Sequence, residues 1–140
     1  MSESPKEILK KARQVDRRIA QIYAEWDQLN QDIQALQSFD YSKPIVKASG
    51  GRGEVESTAV RIADRKRQLA KELKRQLDIR TAATDLVYSL PPGPERDVLF
   101  QRYILGKSWK LVADSVHYEQ RYCVKLHNAA LEKMTLKDTI

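Results

Sequence analysis

Residues 8–36, ILKKARQVDRRIAQIYAEWDQLNQDIQAL, carry the clearest periodicity in the sequence. Their apolar side chains are separated alternately by four and three residues, a spacing that is kept for about four heptads. Such a stripe is the a/d seam of a helix that packs against another helix as a coiled coil. Ser4 as an N-cap and Pro5 in the first turn predict where this helix starts. The seam positions are Ile8, Ala12, Val15, Ile19, Ile22, Trp26, Leu29, Ile33 and Leu36.

A second helical pattern extends over residues 55–90, and a region rich in glycine separates it from the first. Residues 39–54 contain Pro44 and three glycines, which predict a flexible loop. Two long helices joined by such a loop predict an antiparallel helical hairpin. Because two amphipathic helices alone bury little apolar surface, we expect a homo-oligomer, with a dimer favoured. The apolar positions of the second helix are Val55, Ala59, Ile62, Leu69 and Leu73, with Lys66 at one seam position.

The sequence LPPGP at residues 90–94 ends the second helix, since prolines cannot continue it. We therefore expect two domains, a hairpin and oligomerisation region over 1–90 and a smaller domain over 91–140. The smaller domain contains three short helical patterns. The first, over 95–105, has Pro94 in its first turn and Gly106 just beyond its end.

The second and third patterns have the form of a helix-turn-helix motif. A short helix over 108–116 has Ser108 as N-cap, a tight turn follows at His117, and a longer helix covers 120–134. His117 occupies a turn position that commonly needs a left-handed backbone, which histidine tolerates better than most side chains. We expect a small core beneath the motif, made by Val112, Val116, Cys123 and Leu126. The fold is therefore predicted to be all-α.

The longer helix has two different faces. At about 100° per residue, Cys123, Leu126 and Ala130 fall on one side and a polar set on the other. Arginine, lysine and asparagine are the side chains that read base edges in the major groove. The predicted base-reading residues are Gln120, Arg121, Lys125 and Asn128, and the predicted phosphate contacts are Lys107, Ser108 and Lys110.

The charge of the chain favours an anionic partner. Lys and Arg number 25 against 19 Asp and Glu, a formal net charge of +6. Many of these cations lie along the second long helix, where like charges four residues apart repel each other. They form either a solvated face or a secondary stripe of phosphate contacts, comprising Arg61, Arg65, Lys71 and Arg75.

Residues 102–134, RYILGKSWKLVADSVHYEQRYCVKLHNAALEKM, resemble phage and prophage late-transcription regulators of the RinA/ArpU-like type. The carboxy-terminal unit of these regulators is similar to the sigma-factor helix-turn-helix that reads the −35 element. The resemblance implies binding of double-stranded DNA at a phage promoter, activation of a late operon and contact with host RNA polymerase. His117 and Glu119 depart from the family pattern, which usually has Gly and Ser there. The matching positions include Gly106, Ser108, Trp109, Val112, Ala113, Tyr118, Arg121, Leu126, His127 and Ala130.

Other classes of function find no support in the sequence. No motif for catalysis or phosphate cradling occurs, so we expect neither an enzyme nor a cofactor. Cys123 and His127 lie one turn apart, but Cys123 falls on the core side and a structural zinc site needs four ligands. The lone cysteine, and the lack of a long apolar segment, indicate a protein of the bacterial host cytoplasm that does not bind membranes. Two alternatives remain, a small-terminase-like DNA-packaging protein that forms a large ring, and a coiled-coil adaptor that binds a protein partner.

Overall fold

The computed structural model describes residues 3–38 and 51–139, and within these ranges every regular element is helical. The predicted all-α fold, with its long N-terminal helix pair, is therefore confirmed. A π-helical turn, Phe100–Ile104, continues the fourth helix. The six α-helices of the described ranges are α1 (Pro5–Arg13), α2 (Val15–Ser38), α3 (Gly51–Tyr88), α4 (Pro94–Leu99), α5 (Trp109–Val116) and α6 (Gln120–Thr139).

The first helix starts as predicted but is interrupted. The Ser4 hydroxyl accepts a hydrogen bond from the Glu7 N–H at 3.3 Å, and Pro5 occupies the first turn. The helix is interrupted at Gln14, between α1 and α2. The prediction of one continuous helix over residues 8–36 is therefore wrong at this position. Leu9 is fully buried, whereas Ile8, the predicted seam residue, is only half-buried. The seam shifts because α1 packs against the π-helical turn and α6.

The third helix begins earlier than the sequence predicts. The prediction of a loop over residues 39–54 is wrong for its last four residues, since α3 already begins at Gly51. Residues 39–50 lie outside the described ranges. Glycine is tolerated in a first turn, and the carboxylate of Glu54 there is favoured by the exposed amides of the helix start. At its other end α3 stops at Tyr88, two residues short of the predicted end at residue 90, and the LPPGP sequence follows after Ser89.

The structure divides into two compact units, which differ from the predicted domains. The terminal unit comprises Met1–Arg18 with Gln76–Ile140, and the middle unit comprises Ile19–Arg75. The predicted boundary between 1–90 and 91–140 marks the end of α3 and not the division between these units. The reason is that α1 and the end of α3 contribute to the same core as the C-terminal helices.

The core of the terminal unit joins segments from both ends of the chain. Leu9 and Ala12 of α1 share it with Ala83 and Val87 of α3. Full burial of a leucine or valine side chain stabilises a fold by about 1.5–3 kcal/mol, so this core is the main attachment of α1. The other buried members are Leu90, Leu99, Tyr103, Ala130 and Met134.

In the middle unit, α2 and α3 pair along the predicted seam. Ile22, Ile62 and Leu69 are buried. Lys66 occupies a predicted seam position without leaving its charge uncompensated, because its ammonium group lies 4.7 Å from the centre of the Trp26 ring and donates a hydrogen bond to Asn30.

Candidate nucleic-acid interface

The helix-turn-helix arrangement is held by two local hydrogen-bonding features that the sequence predicts. The Ser108 hydroxyl accepts from the Leu111 N–H at 3.4 Å, which caps α5. His117 has φ +62° and ψ +38°, the left-handed conformation that ends the helix. The N–H groups of His117 and Tyr118 both donate to the Ala113 carbonyl oxygen, at 2.9 and 3.3 Å. The turn between α5 and α6 is thereby closed in three residues.

A small apolar core fixes α5 against α6. Val112, Cys123 and Leu126 are buried together as predicted, and Val116 packs against them. The structure adds Val98 of α4, which no local pattern connects to this core. Burial raises the pKa of the Cys123 thiol, so the group is a neutral packing residue at physiological pH.

Three of the four predicted base-reading residues lie on the side of α6 away from this core. The outer face of α6, defined as Arg121, Lys125 and Asn128, is exposed, whereas Cys123 and Ala130 are fully buried. The three side chains stand at i, i+4 and i+7 and therefore follow one line along the helix. The arrangement presents two cations and one amide to solvent on a helix whose opposite face is anchored.

Gln120 and the predicted phosphate contacts lie at the starts of the two helices. Gln120 is exposed at the first position of α6, and Lys110 is exposed in the first turn of α5. Lys107 is half-buried, and its ammonium group donates to the Ser115 hydroxyl at 2.9 Å. Ser108 was predicted both as the N-cap of α5 and as a phosphate contact, and its hydroxyl serves as the N-cap.

Arg102 braces the segment that leads into α5, a role that the sequence does not reveal. Its guanidinium group lies 4.5 Å from the centre of the Trp109 ring and donates to the Lys107 carbonyl oxygen at 3.0 Å. Burial, followed by the nearby charge of Arg13, lowers the pKa of Arg102. Arginine suits this position because its planar group stacks on an indole and donates at its edge.

His127 connects the outer face to the interior. Its Nε2 is 2.6 Å from the Tyr103 hydroxyl, and its Nδ1 is 3.0 Å from the Oδ1 of Asn128. The imidazole stacks on Tyr103 and meets the Trp109 ring edge-on, with ring centres 5.6 and 5.0 Å apart. Burial is the main reason that the pKa of His127 is lowered. These contacts brace α6 against the π-helical turn and α5.

Two exposed tyrosines lie close in sequence to the outer face, and neither was predicted to contact DNA. Tyr118 and Tyr122 are 41% and 46% exposed, and their rings meet edge-on with centres 5.1 Å apart. Tyr118 lies in the turn before α6 and Tyr122 in the first turn of α6, so helical spacing alone does not predict their contact.

The cationic stripe on α3 is only partly exposed. Arg61, Lys71 and Arg75 are exposed in the middle unit. The Arg65 guanidinium instead forms a two-point ion pair with Glu25 of α2, with Nη2 2.8 Å from Oε1. This hydrogen bond is the main reason that the pKa of Arg65 is raised. Arg65 therefore links α3 to α2 through Glu25, whereas the other three residues of the stripe remain exposed.

Comparison of the chain with family models, with curated proteins and with solved structures finds no match. In the described part of the chain, no three His, Cys, Asp or Glu side chains are grouped as a metal ion would require. None of the described helices is both long and apolar enough to cross a membrane.

Proposed function

We propose that this protein is a sequence-specific regulator of transcription that binds double-stranded DNA, acting at a promoter as an activator of phage late genes. The observation that carries the proposal is the outer face of α6. Arg121, Lys125 and Asn128 project together from a helix that is anchored by a buried opposite face and preceded by a tight turn. A helix of this kind enters the major groove with its amino-terminal residues toward the base edges.

The charges around the motif fit a phosphate backbone. Lys110 and the capped amino terminus of α5 lie on the segment that, in helix-turn-helix proteins, meets the backbone. The net charge of +6 adds an attraction that does not depend on sequence. Base contacts by α6 would then supply the specificity, and contacts by α5 the register.

A dimer is the assembly that we propose for the regulator. Two copies of α6 would address half-sites about 34 Å apart, one turn of the double helix. We place the dimer interface on the middle unit, where Tyr23 and Val60 are 57% and 58% exposed on its two helices. Contact with host RNA polymerase in the bacterial cytoplasm rests on the resemblance of residues 102–134 to RinA/ArpU-like regulators.

Selection of duplexes from a random-sequence library, followed by titration, tests the function. The wild-type chain should bind the selected duplex at least tenfold more tightly than a shuffled duplex of the same composition. Arg121→Ala should reduce this ratio, because a bidentate contact to one base contributes about 1–3 kcal/mol of discrimination. Arg17→Ala, an equal charge change at an exposed position of α2, is the matched control and should leave the ratio unchanged.

Other outcomes would contradict the regulator. Equal binding of wild-type protein to selected and shuffled duplexes, by a large ring of subunits, would indicate a DNA-packaging protein of the small-terminase type. Absence of binding to any duplex at moderate salt would leave a coiled-coil adaptor.

A further inference from the structure

The side chain of His127 is fixed by contacts from three elements. Tyr103 of the π-helical turn stacks on the ring at 27° between planes, and Trp109 of α5 covers it edge-on. The ring itself is carried by α6. It is half-buried, whereas the neighbouring Asn128 is exposed on the outer face. A half-buried, oriented group thus touches a side chain proposed to read DNA.

One tautomer of the imidazole satisfies both of its side-chain contacts together. With the Oδ1 of Asn128 3.0 Å from Nδ1, it is the tautomer in which Nδ1 carries the hydrogen and donates to that oxygen. In the neutral ring Nε2 is then an acceptor, and the Tyr103 hydroxyl donates to it at 2.6 Å. A chain of donors therefore runs from Tyr103 through His127 to Asn128.

The charges that face the ring favour its neutral form. Arg102 of the π-helical turn and Lys6 of α1 both act to lower the pKa of His127, in addition to burial, while the contact with Asn128 acts in the opposite direction. The neutral ring is the form in which Nε2 accepts from the Tyr103 hydroxyl.

We propose that His127 is a positioning residue that fixes the amide orientation of Asn128 and so sets the base edge that Asn128 reads. The inference rests on the proposed function and deepens it. With Nδ1–H opposite, the reversed amide would place two N–H donors against each other, which is unfavourable. The fixed amide turns its NH2 group away from His127 and keeps a second lone pair on Oδ1 available.

The fixed orientation selects a particular partner. An NH2 group and a carbonyl oxygen held in a fixed order match the N7 acceptor and the N6 amino donor of adenine in the major groove. An amide that is free to reverse would lose the discrimination that depends on this order. We therefore assign adenine as the base opposite Asn128.

Two steps test the assignment, using the full chain and the duplex selected from the random library. Asn128→Ala first identifies the base pair at which discrimination disappears, expected to be A·T. His127→Leu should then reduce discrimination at that base pair by about tenfold. Discrimination at the position sensitive to Arg121→Ala should change less than about twofold, since distant and independent sites behave additively. Tyr103→Phe, which keeps the ring stack and removes the hydroxyl, should weaken discrimination at the same base pair to a smaller extent.

A double-mutant cycle separates positioning from a structural role. In the Asn128→Ala background, His127→Leu should cause no further loss of discrimination. His127→Gln, whose side-chain amide can still donate, should restore part of it. Equal loss at every base pair, or an undiminished effect of His127→Leu without Asn128, would overturn the inference. If Asn128→Ala changes discrimination at no base pair while Arg121→Ala does, the inference fails and the proposed function stands. If no duplex is preferred at all, the proposed function itself fails.

Discussion

At the residue scale, the outer face of α6 depends on side chains that are not part of it. His127 is held in its neutral form by burial, by Arg102 and by Lys6, and it reaches the exposed Asn128. The sequence places Asn128 on the outer face by helical periodicity alone. Its contact with His127 depends on side-chain conformation, and the contact of His127 with Tyr103 joins residues 24 positions apart, which no local pattern encodes.

The stability of the protein should depend on the titration of His127. Its pKa is lowered in the folded protein, so the unfolded chain binds the proton more readily. The contribution of His127 is therefore present above the ordinary histidine pKa of about 6.5 and is lost as pH falls through the lowered folded value. Denaturant unfolding of the wild-type protein should show a larger decrease in unfolding free energy on acidification than His127→Gln. An identical pH dependence in both proteins would contradict this assignment.

Lys110 should contribute to DNA affinity without contributing to specificity. It is exposed in the first turn of α5, where contacts to phosphate are expected. Lys110→Ala should weaken binding to selected and shuffled duplexes alike, and should reduce the slope of log affinity against log salt by about one unit. Lys10→Ala, an exposed lysine of α1, serves as the control and should leave the slope unchanged. A loss confined to the selected duplex would show that Lys110 reads a base instead.

At the scale of elements, the features that could be predicted are those encoded within a few residues. The Ser108 cap, the left-handed His117 and the end of α3 at LPPGP each follow from local backbone chemistry. The interruption at Gln14 and the π-helical turn Phe100–Ile104 could not be predicted in this way. Both lie where helices of the terminal unit pack against each other. Their positions therefore depend on tertiary contacts, which a local sequence pattern does not contain.

The turn between α5 and α6 should tolerate glycine at position 117 and reject a β-branched residue. A left-handed backbone costs a non-glycine residue roughly 1–2 kcal/mol, and most for branched side chains. His117→Gly should therefore leave the unfolding free energy unchanged or raise it by up to about 1 kcal/mol. His117→Val should lower it by at least about 1 kcal/mol. Thermal or denaturant unfolding checks both values, and a more stable valine variant would refute the assigned turn conformation.

At the scale of the whole molecule, composition and periodicity predict an all-α chain with two long helices, and the structure agrees. They do not predict that α1 belongs to the same compact unit as α6. That association joins Leu9 to Met134 across most of the chain, and the apolar pattern of α1 is equally compatible with packing on another long helix.

The mass of the protein in solution tests the proposed assembly. A dimer should give about twice the 16.1 kDa of one chain by light scattering at micromolar concentration. Val60→Glu places a charge on an exposed apolar position of α3 and should shift the mass toward that of one chain. A wild-type mass of a single chain would contradict the dimer, and a mass of many chains would favour the packaging ring.

Site-specific photo-crosslinking to the selected duplex tests directly whether α6 reads the DNA. A photoreactive phenylalanine analogue replaces either Tyr122, beside the outer face of α6, or Tyr23, on α2; the two tyrosines are 46% and 57% exposed, so both positions are accessible. We expect a crosslink to a base within the selected site from position 122 and none from position 23. Crosslinking from position 23 alone, with none from position 122, would contradict the claim that α6 reads the DNA.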